Sequence, residues 1–285
     1  MTQAFADSIA ERCGIHTTGY AQVHGGDINE AYCLQGPGIN YFLKLNDSVS
    51  CPAMFVREAA GLSAINHTNR IATPAVIDQG VLADKQWLLL QWVEKGITPA
   101  GAMENFGTAL AAMHLQPQLF FGWHTDNYIG SLLQVNTRCS GWTECYTEYR
   151  IMPLVKILFD KKFIVTADLR AAAAFCKHAA GLFPEEPPSL LHGDLWGGNF
   201  MINTEGQAVV FDPAVYNGHR EMDIGMTKLF GGFSQGFYDA YQEQYPLQPD
   251  WQTRLPFTQL YPLLVHAVLF GGHYLNKSLE ILHRL

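Results

Sequence analysis

The sequence predicts an α+β chain of two lobes: a small N-terminal lobe built on an antiparallel sheet, and a larger, mainly helical C-terminal lobe. Three observations carry that expectation. Short apolar segments punctuated by glycine and proline crowd the first ninety residues, apolar residues recur at helical spacing through most of the remainder, and one strand-rich island, Leu190–Phe211, interrupts the helical part. A length of 285 residues fits one large domain or two lobes sharing a cleft. The expected division is residues 1–90 for the first lobe, 91–96 for the connector and 97–285 for the second.

A helix opens the chain. Residues 20–24 and 31–35 read as short strands around Gly25-Gly26, and Tyr41–Leu45 reads as a third. Ala53–Asn66 is expected to be helical because Phe55, Ala59, Leu62 and Ile65 fall on one stripe. Pro74 and Gly80 punctuate a return to strands at Ala75–Ile77 and Trp87–Trp92. Gln91–Gly96 is then the connector. Glu104–His114 places Phe106, Leu110 and Met113 at helical spacing, and further helices are expected at Tyr146–Phe159, Ala167–Phe183, Phe230–Gln244 and Leu260–Leu275.

Composition narrows the function classes. With 48% hydrophobic and 15% charged residues the chain is that of a compact globular protein. No apolar run approaches the roughly 18 residues of a membrane span, and MTQAFADSIAERCG has neither the basic nor the apolar region of a secretory signal. The expected compartment is the cytoplasm. Cys13, Cys33, Cys51, Cys139, Cys145 and Cys176 include no CxxC pair, so reduced structural thiols are expected rather than a disulfide framework or a metal centre. A net charge of −8 argues against a partner with a phosphate backbone and modestly favours a cationic substrate.

The chemistry is concentrated in Ser189–Phe200, where an apolar lead enters a glycine-rich polar loop. Phe200–Asn203 and Gln207–Phe211 read as strands joined by Thr204-Glu205-Gly206. Antiparallel pairing around that turn sets Asn199 opposite roughly residue 211, so Asp212 returns to within a residue or two of Asn199. Asp194 lies five residues upstream on the same loop. Phosphoryl transfer needs such a convergence: a carboxylate to orient the attacking hydroxyl and accept its proton, and hard oxygens to hold Mg²⁺ against a triphosphate. Asp194 suits the first role, Asn199 and Asp212 the second. Any one of them alone would be an ordinary turn residue. Two aspartates beside an asparagine repel one another unless a cation or hydrogen bonds compensate.

On the small-lobe side, Glu58 falls on the apolar stripe between Phe55 and Leu62, where an unpaired carboxylate is expensive. Lys44, on the preceding strand, is its natural partner; the alternative is an ordinary surface ion pair. Gly25-Gly26 is either a plain hairpin turn or a backbone able to approach phosphates closely. Neither GxxxxGK[ST] nor GxGxxG occurs.

Several of these residues form a known pattern. HGDLWGGN (192–199) with Asp212-Pro213-Ala214 resembles the catalytic loop and metal-binding motif of the aminoglycoside phosphotransferase-like kinases. Trp196 together with DPAVYNGHRE (212–221) is narrower and resembles the fructosamine (ketosamine) kinase family. Matches continue in GGDINEAY (25–32), FLKLN (42–46), REAAGL (57–62), FG…DNYIG…QVN (121–136) and MTKLFGGF…FYDAY (226–241), so that the resemblance spans about residues 20–275.

The resemblance implies a bilobal protein-kinase-like fold and transfer of the γ-phosphoryl of ATP, with Mg²⁺, to the third-carbon hydroxyl of a ketosamine. The phosphorylated product then sheds its sugar, a repair of glycated amines, free or on protein lysines; no nucleic-acid or membrane partner is expected, from the net charge and the short apolar runs. It also implies that Lys44 and Glu58 position the phosphates and that Gln91, Trp92 and Val93 offer their backbone to adenine. His192 is implied to be a scaffold residue. Asp223 is either a helix cap or a brace for the catalytic-loop backbone, as the kinase-like fold suggests. Trp196 is either a substrate platform or lobe-face packing. His114 is read as structural, and Tyr216 and His219 as approaching the substrate. Asn127–Gly130 and Gln134–Asn136 match the family without a chemical role. The alternatives are a kinase of the same fold acting on an aminoglycoside, choline or homoserine, a non-catalytic pseudokinase, or a metalloenzyme built on His192 and Asp194.

Overall fold

The structure, a computed structural model, describes residues 1–23 and 29–284; Gly25 and Gly26 lie outside the described residues. Two units form. Met1–Pro99 and Met201–Asp212 make the first, and Ala100–Phe200 with Pro213–Leu285 the second.

In the first unit, helix α1 (Gln3–Arg12) starts at a side-chain cap, where Thr2 accepts the Phe5 N–H. Strands β1 (Gly19–Val23), β2 (Glu30–Gly36) and β3 (Ile39–Asp47) follow, then α2 (Met54–His67), β4 (Val76–Leu82) and β5 (Lys85–Gln91). The sheet order is β1-β2-β3-β5-β4, every neighbour antiparallel. Side chains alternate across a strand, so Leu43 and Leu45 join Trp87, Leu89, Tyr32 and Leu34 in a core under Ala6 and Ile9 of α1. Lys44 consequently faces the other way, its Nζ 5.8 Å from the Phe55 ring of α2.

The second unit opens with α3 (Ala102–His114), the hairpin β6 (Asn127–Ile129) and β7 (Leu132–Gln134), and α4 (Trp142–Tyr146). A π-helical turn, Thr147–Ile151, runs into α5 (Met152–Asp160), and α6 (Thr166–His178) and β8 (Ser189–Leu191) follow. The hairpin β9 (Phe200–Ile202) and β10 (Ala208–Val210) turns through Asn203–Gln207, closed by the Asn203 N–H on the Gln207 carbonyl at 2.9 Å. Its residues from Met201 belong to the first unit, where Val209 bridges Ala72 and Asn203 bridges Lys95; the sequence had grouped it with the helical part. Strand β11 (Tyr216–Gly218) pairs with β8.

Helices α7 (Glu221–Phe230), α8 (Gln235–Gln244), α9 (Trp251–Phe270) and α10 (His273–Leu282) complete the chain. Two expected helices therefore begin elsewhere and break. Gly231 and Gly232, at φ 74° and 97°, separate α7 from α8, and Gly271 and Gly272, at 67° and 61°, separate α9 from α10; such values end a right-handed helix at little cost only for glycine. The apolar core of this unit gathers Phe175, Leu158, Val155, Tyr146, Leu191, Leu260 and Leu264. No helix among the described residues is long and apolar enough to cross a membrane, and all six cysteines are free thiols.

Candidate active site

In the first unit, both Glu58 carboxylate oxygens accept hydrogen bonds from Lys44 Nζ at 2.8 Å, and Asp212 Oδ1 accepts a third, also at 2.8 Å. The Lys44 side chain is 5% exposed and that of Asp212 44%. The hairpin carries Asp212 to a lysine 168 positions earlier in the chain, a contact with no local signal. Burial works against the ammonium, yet Asp212 and then Glu58 outweigh it and raise its pKa. Burial drives the Glu58 carboxyl upward, against the pull of Lys44 and with the help of the second acid. Two acids thus share one cation. Asp212, the most exposed of the three, can exchange its partner at the least desolvation cost. It sits at φ 55°, a left-handed value sparsely used outside glycine and asparagine or aspartate and frequent at working sites.

In the second unit the catalytic loop hangs from Asp223. Helix α7 begins after Arg220 with no side-chain cap, so Asp223, three residues in, is not the capping residue. Its carboxylate accepts the backbone N–H groups of His192 at 2.8 Å and Gly193 at 3.0 Å, and lies 3.2 Å from His114 Nε2. His114 is oriented in turn by the Tyr241 hydroxyl at 2.8 Å. Burial pushes the Asp223 carboxyl up, but the bond and charge of His114, with His192 and the Gly193 amide, hold it below its ordinary range. Gly193 adopts φ +83° and lies so close to the next segment that a Cβ there would stand 2.1 Å from the Ala214 carbonyl oxygen. The Ala214 N–H donates to the His192 carbonyl at 2.9 Å.

The same loop presents Asp194. Its N–H donates to His192 Nδ1 at 3.3 Å, and Asn199 Nδ2 donates to both its carbonyl (2.9 Å) and its Oδ2 (3.0 Å). Asn199 itself is buried. Trp196 is 38% exposed, with its ring against Gly198 and edge-on to Phe230 at 5.9 Å.

Other expected residues fall elsewhere. Tyr216 and His219 are buried in the core, Tyr216 stacked on Trp142, so neither approaches a substrate directly. Burial lowers the His219 pKa to about 4, with Glu186 pulling the other way and Arg220 adding to the drop. Arg220 forks onto Glu186 at 2.8 and 2.7 Å, and Glu221 pairs with Arg254. Much of DPAVYNGHRE is thus an ion-paired scaffold, for which the sequence offers no separate signal. The Gln91 N–H is committed to the Ala75 carbonyl at 2.8 Å; the Trp92 ring lies 6.2 Å from that of Phe42, and Val93 follows it. Among the described residues, no three or more His, Cys, Asp or Glu side chains form a group that could hold a metal ion.

Comparison with known proteins agrees over the whole chain. The family model described as fructosamine kinase matches residues 1–285. A candidate ketoamine kinase of Synechocystis sp. is 36% identical over 277 residues, covering 91% of this chain and 88% of its own. The crystal structure of a candidate fructosamine-3-kinase from Thermobifida fusca superposes with a TM-score of 0.88 at 33% identity, covering 99% of this chain and 98% of that one. A thermostable mutant of aminoglycoside phosphotransferase APH(4)-Ia, solved with ADP and hygromycin B, has a TM-score of 0.63 at 16% identity and covers 97% of each chain, a likeness of fold.

Proposed function

The chain belongs to the fructosamine kinase family, and from that premise we propose that it transfers the γ-phosphoryl group of ATP to the 3-hydroxyl of a ketosamine, so that the glycated amine can be released. One observation carries the residue roles. Asp194 is held from both sides, by the His192–Gly193 backbone hung on Asp223 and by the Asn199 amide on its own carboxylate. A carboxylate fixed in that way is prepared to orient one hydroxyl and take its proton.

Lys44, held by Glu58, contacts the α- and β-phosphates, as lysines of this fold do. The Asn199 Nδ2 is engaged with Asp194, which leaves its Oδ1 as the ligand atom, and Asp212 bonds Lys44 through its Oδ1. These are the hard oxygen donors that suit Mg²⁺. When bound, Mg²⁺ neutralises the charge that builds on the transferred group. Trp92 and Val93 offer adenine the backbone beyond Gln91, and Trp196 lies against the sugar. Gly25 and Gly26 are assigned to phosphate binding from their sequence alone. The six free thiols suit a cytoplasmic enzyme.

The test is mass spectrometry of products from ATP, Mg²⁺ and a panel of ribose- and fructose-derived amines, beside an aminoglycoside, choline and homoserine. A 3-phosphorylated ketosamine is the expected product. Phosphorylation of one of the other alcohols alone would overturn the substrate assignment. Asp194→Asn is expected to lose at least roughly 100-fold in kcat, and turnover within a few-fold of wild type would remove Asp194 from its role.

A further inference from the structure

The β6–β7 hairpin and the π-helical turn bring together four buried polar residues that the reaction scheme does not use. Asn127, Gln134, Asn136 and Arg150 are 4%, 2%, 2% and 0% exposed. Two of them, Gln134 and Asn127, bond directly to the segment just after Asp212, and Asn136 and Arg150 stand behind them. Gln134 Nε2 donates to the Ala214 carbonyl at 3.0 Å, and Asn127 Nδ2 to the Val215 carbonyl at 2.7 Å. Asn127 Oδ1 accepts from Gln134 (2.7 Å) and from Asn136 (2.8 Å). Gln134 Oε1 accepts the Tyr261 hydroxyl at 2.8 Å. These bonds fix which way the Asn127 and Gln134 amides point.

Arg150 closes the set. Its Nη2 donates to Asn136 Oδ1 at 2.6 Å and its Nη1 to the Val135 and Tyr149 carbonyls at 2.6 and 3.1 Å, while its guanidinium lies 4.2 Å from the Tyr216 ring centroid. Among the described residues this buried cation has no carboxylate partner, and its Nε has no hydrogen bond. It is aimed inward by the π turn, an irregularity frequent at functional sites.

We propose that Asn127, Gln134 and Asn136, anchored on Arg150, form a positioning device that sets the register of the His192–Asp194 loop through the carbonyls of Ala214 and Val215. The loop and that segment are tied together at two points. The Ala214 N–H holds the His192 carbonyl, and Gly193 is packed against the Ala214 oxygen with no room for a methyl group. Tyr261, which carries the outer end of the network, lies in the fields of both Arg150 and Asp194. Stability alone does not account for the arrangement. Apolar residues of equal volume fill such a core at equal or lower free energy than a buried unpaired cation and three amides. What the polar set adds is direction, since each hydrogen bond accepts only one placement of the two carbonyls.

The inference rests on Asp194 as the carboxylate that activates the acceptor, and not on the acceptor being a ketosamine. Gln134→Met keeps the volume and deletes the donors; Tyr261→Phe deletes the hydroxyl that orients Gln134. Two readouts apply: kcat and the KM for ATP with the best acceptor of the wild type, and hydrogen exchange of the peptide containing His192–Asp194 with no substrate present. The expected result for Gln134→Met is a loss in kcat of about 10–100-fold, the range typical of groups one contact behind a working residue. KM for ATP should stay within about twofold, and exchange should accelerate in the loop but not across the unit. Tyr261→Phe should move the same readouts less.

A folded Gln134→Met with kcat within about twofold of wild type, or with exchange raised uniformly, would overturn the proposal. If Gln134→Met does not fold, Tyr261→Phe decides by exchange: loop exchange unchanged, or raised uniformly across the unit, would overturn the proposal. If the wild type phosphorylates no acceptor in the panel, the substrate reading fails, and the exchange of the loop still decides this one.

Discussion

Asp223→Asn isolates the brace under the catalytic loop. The native carboxylate collects three donors, His192 N–H at 2.8 Å, Gly193 N–H at 3.0 Å and His114 Nε2 at 3.2 Å, in a fully buried setting. Asparagine keeps one acceptor oxygen and turns an NH₂ group toward at least one of those donors. Hydrogen bonds to a charged acceptor contribute about 1.5–3 kcal/mol each, so losing one and weakening another costs about 3 kcal/mol. At about 2–4 °C per kcal/mol for a chain somewhat smaller than this one, the melting midpoint should fall by roughly 6–12 °C. Activity should fall further than the folded fraction explains, because the N–H groups of His192 and Gly193 no longer locate Asp194.

The pH dependence adds a second handle on the same substitution. The native Asp223 pKa lies below the ordinary value, so its stabilisation is present above the unfolded pKa, about 3.9, and disappears as pH falls through the folded value. The gap between wild type and Asp223→Asn should therefore narrow below about pH 4. Denaturant melts at several pH values, with kcat measured on the folded protein, make the comparison. Equal midpoints at neutral pH together with unchanged kcat would refute the brace.

Lys44→Met leaves Glu58 buried and Asp212 beside it with no cation, which should destabilise the first unit by about 3–5 kcal/mol. Adding Glu58→Leu should recover most of that stability while kcat/KM for ATP stays low; denaturant midpoints and steady-state kinetics of both variants check it. Burial keeps His219 neutral with a pKa lowered to about 4, so its contribution is present above the unfolded value of about 6.5 and is lost as pH falls from there toward 4. The shift corresponds to about 3 kcal/mol at most. His219→Gln should flatten the fall in stability over that window, and melts between pH 7 and 4 that keep the wild-type slope would contradict it.

The pairing of Lys44 with Glu58 was legible before any coordinates because a carboxylate inside an apolar stripe has to find a cation. The third member, Asp212, was not, since nothing local marks a contact across 168 positions. The hairpin itself was readable from two alternating runs around a turn, while its assignment to the first unit depends on bridges to Ala72 and Lys95. Tyr216 and His219 show the converse error. A tyrosine and a histidine beside a catalytic motif look the same in sequence whether they line a site or support it, and only their burial separates the cases. The helix breaks at Gly231 and Gly271 are backbone events hidden among residues that keep helical periodicity on either side.

What the sequence determined alone is the set of local commitments: an α+β chain, a glycine-rich loop bearing Asp194 and Asn199, and an Asp212 motif closing a hairpin. Period, turn chemistry and motif spacing act over a few residues, and they are written in order along the chain. Which groups hold those residues in place was decided by tertiary structure. Asp223 reaches back 31 positions to His192 and 109 to His114, and Gln134 forward 80 to the Ala214 carbonyl. A buried donor or acceptor must be satisfied by whatever packing brings within about 3 Å, and that neighbour is chosen by the fold as a whole.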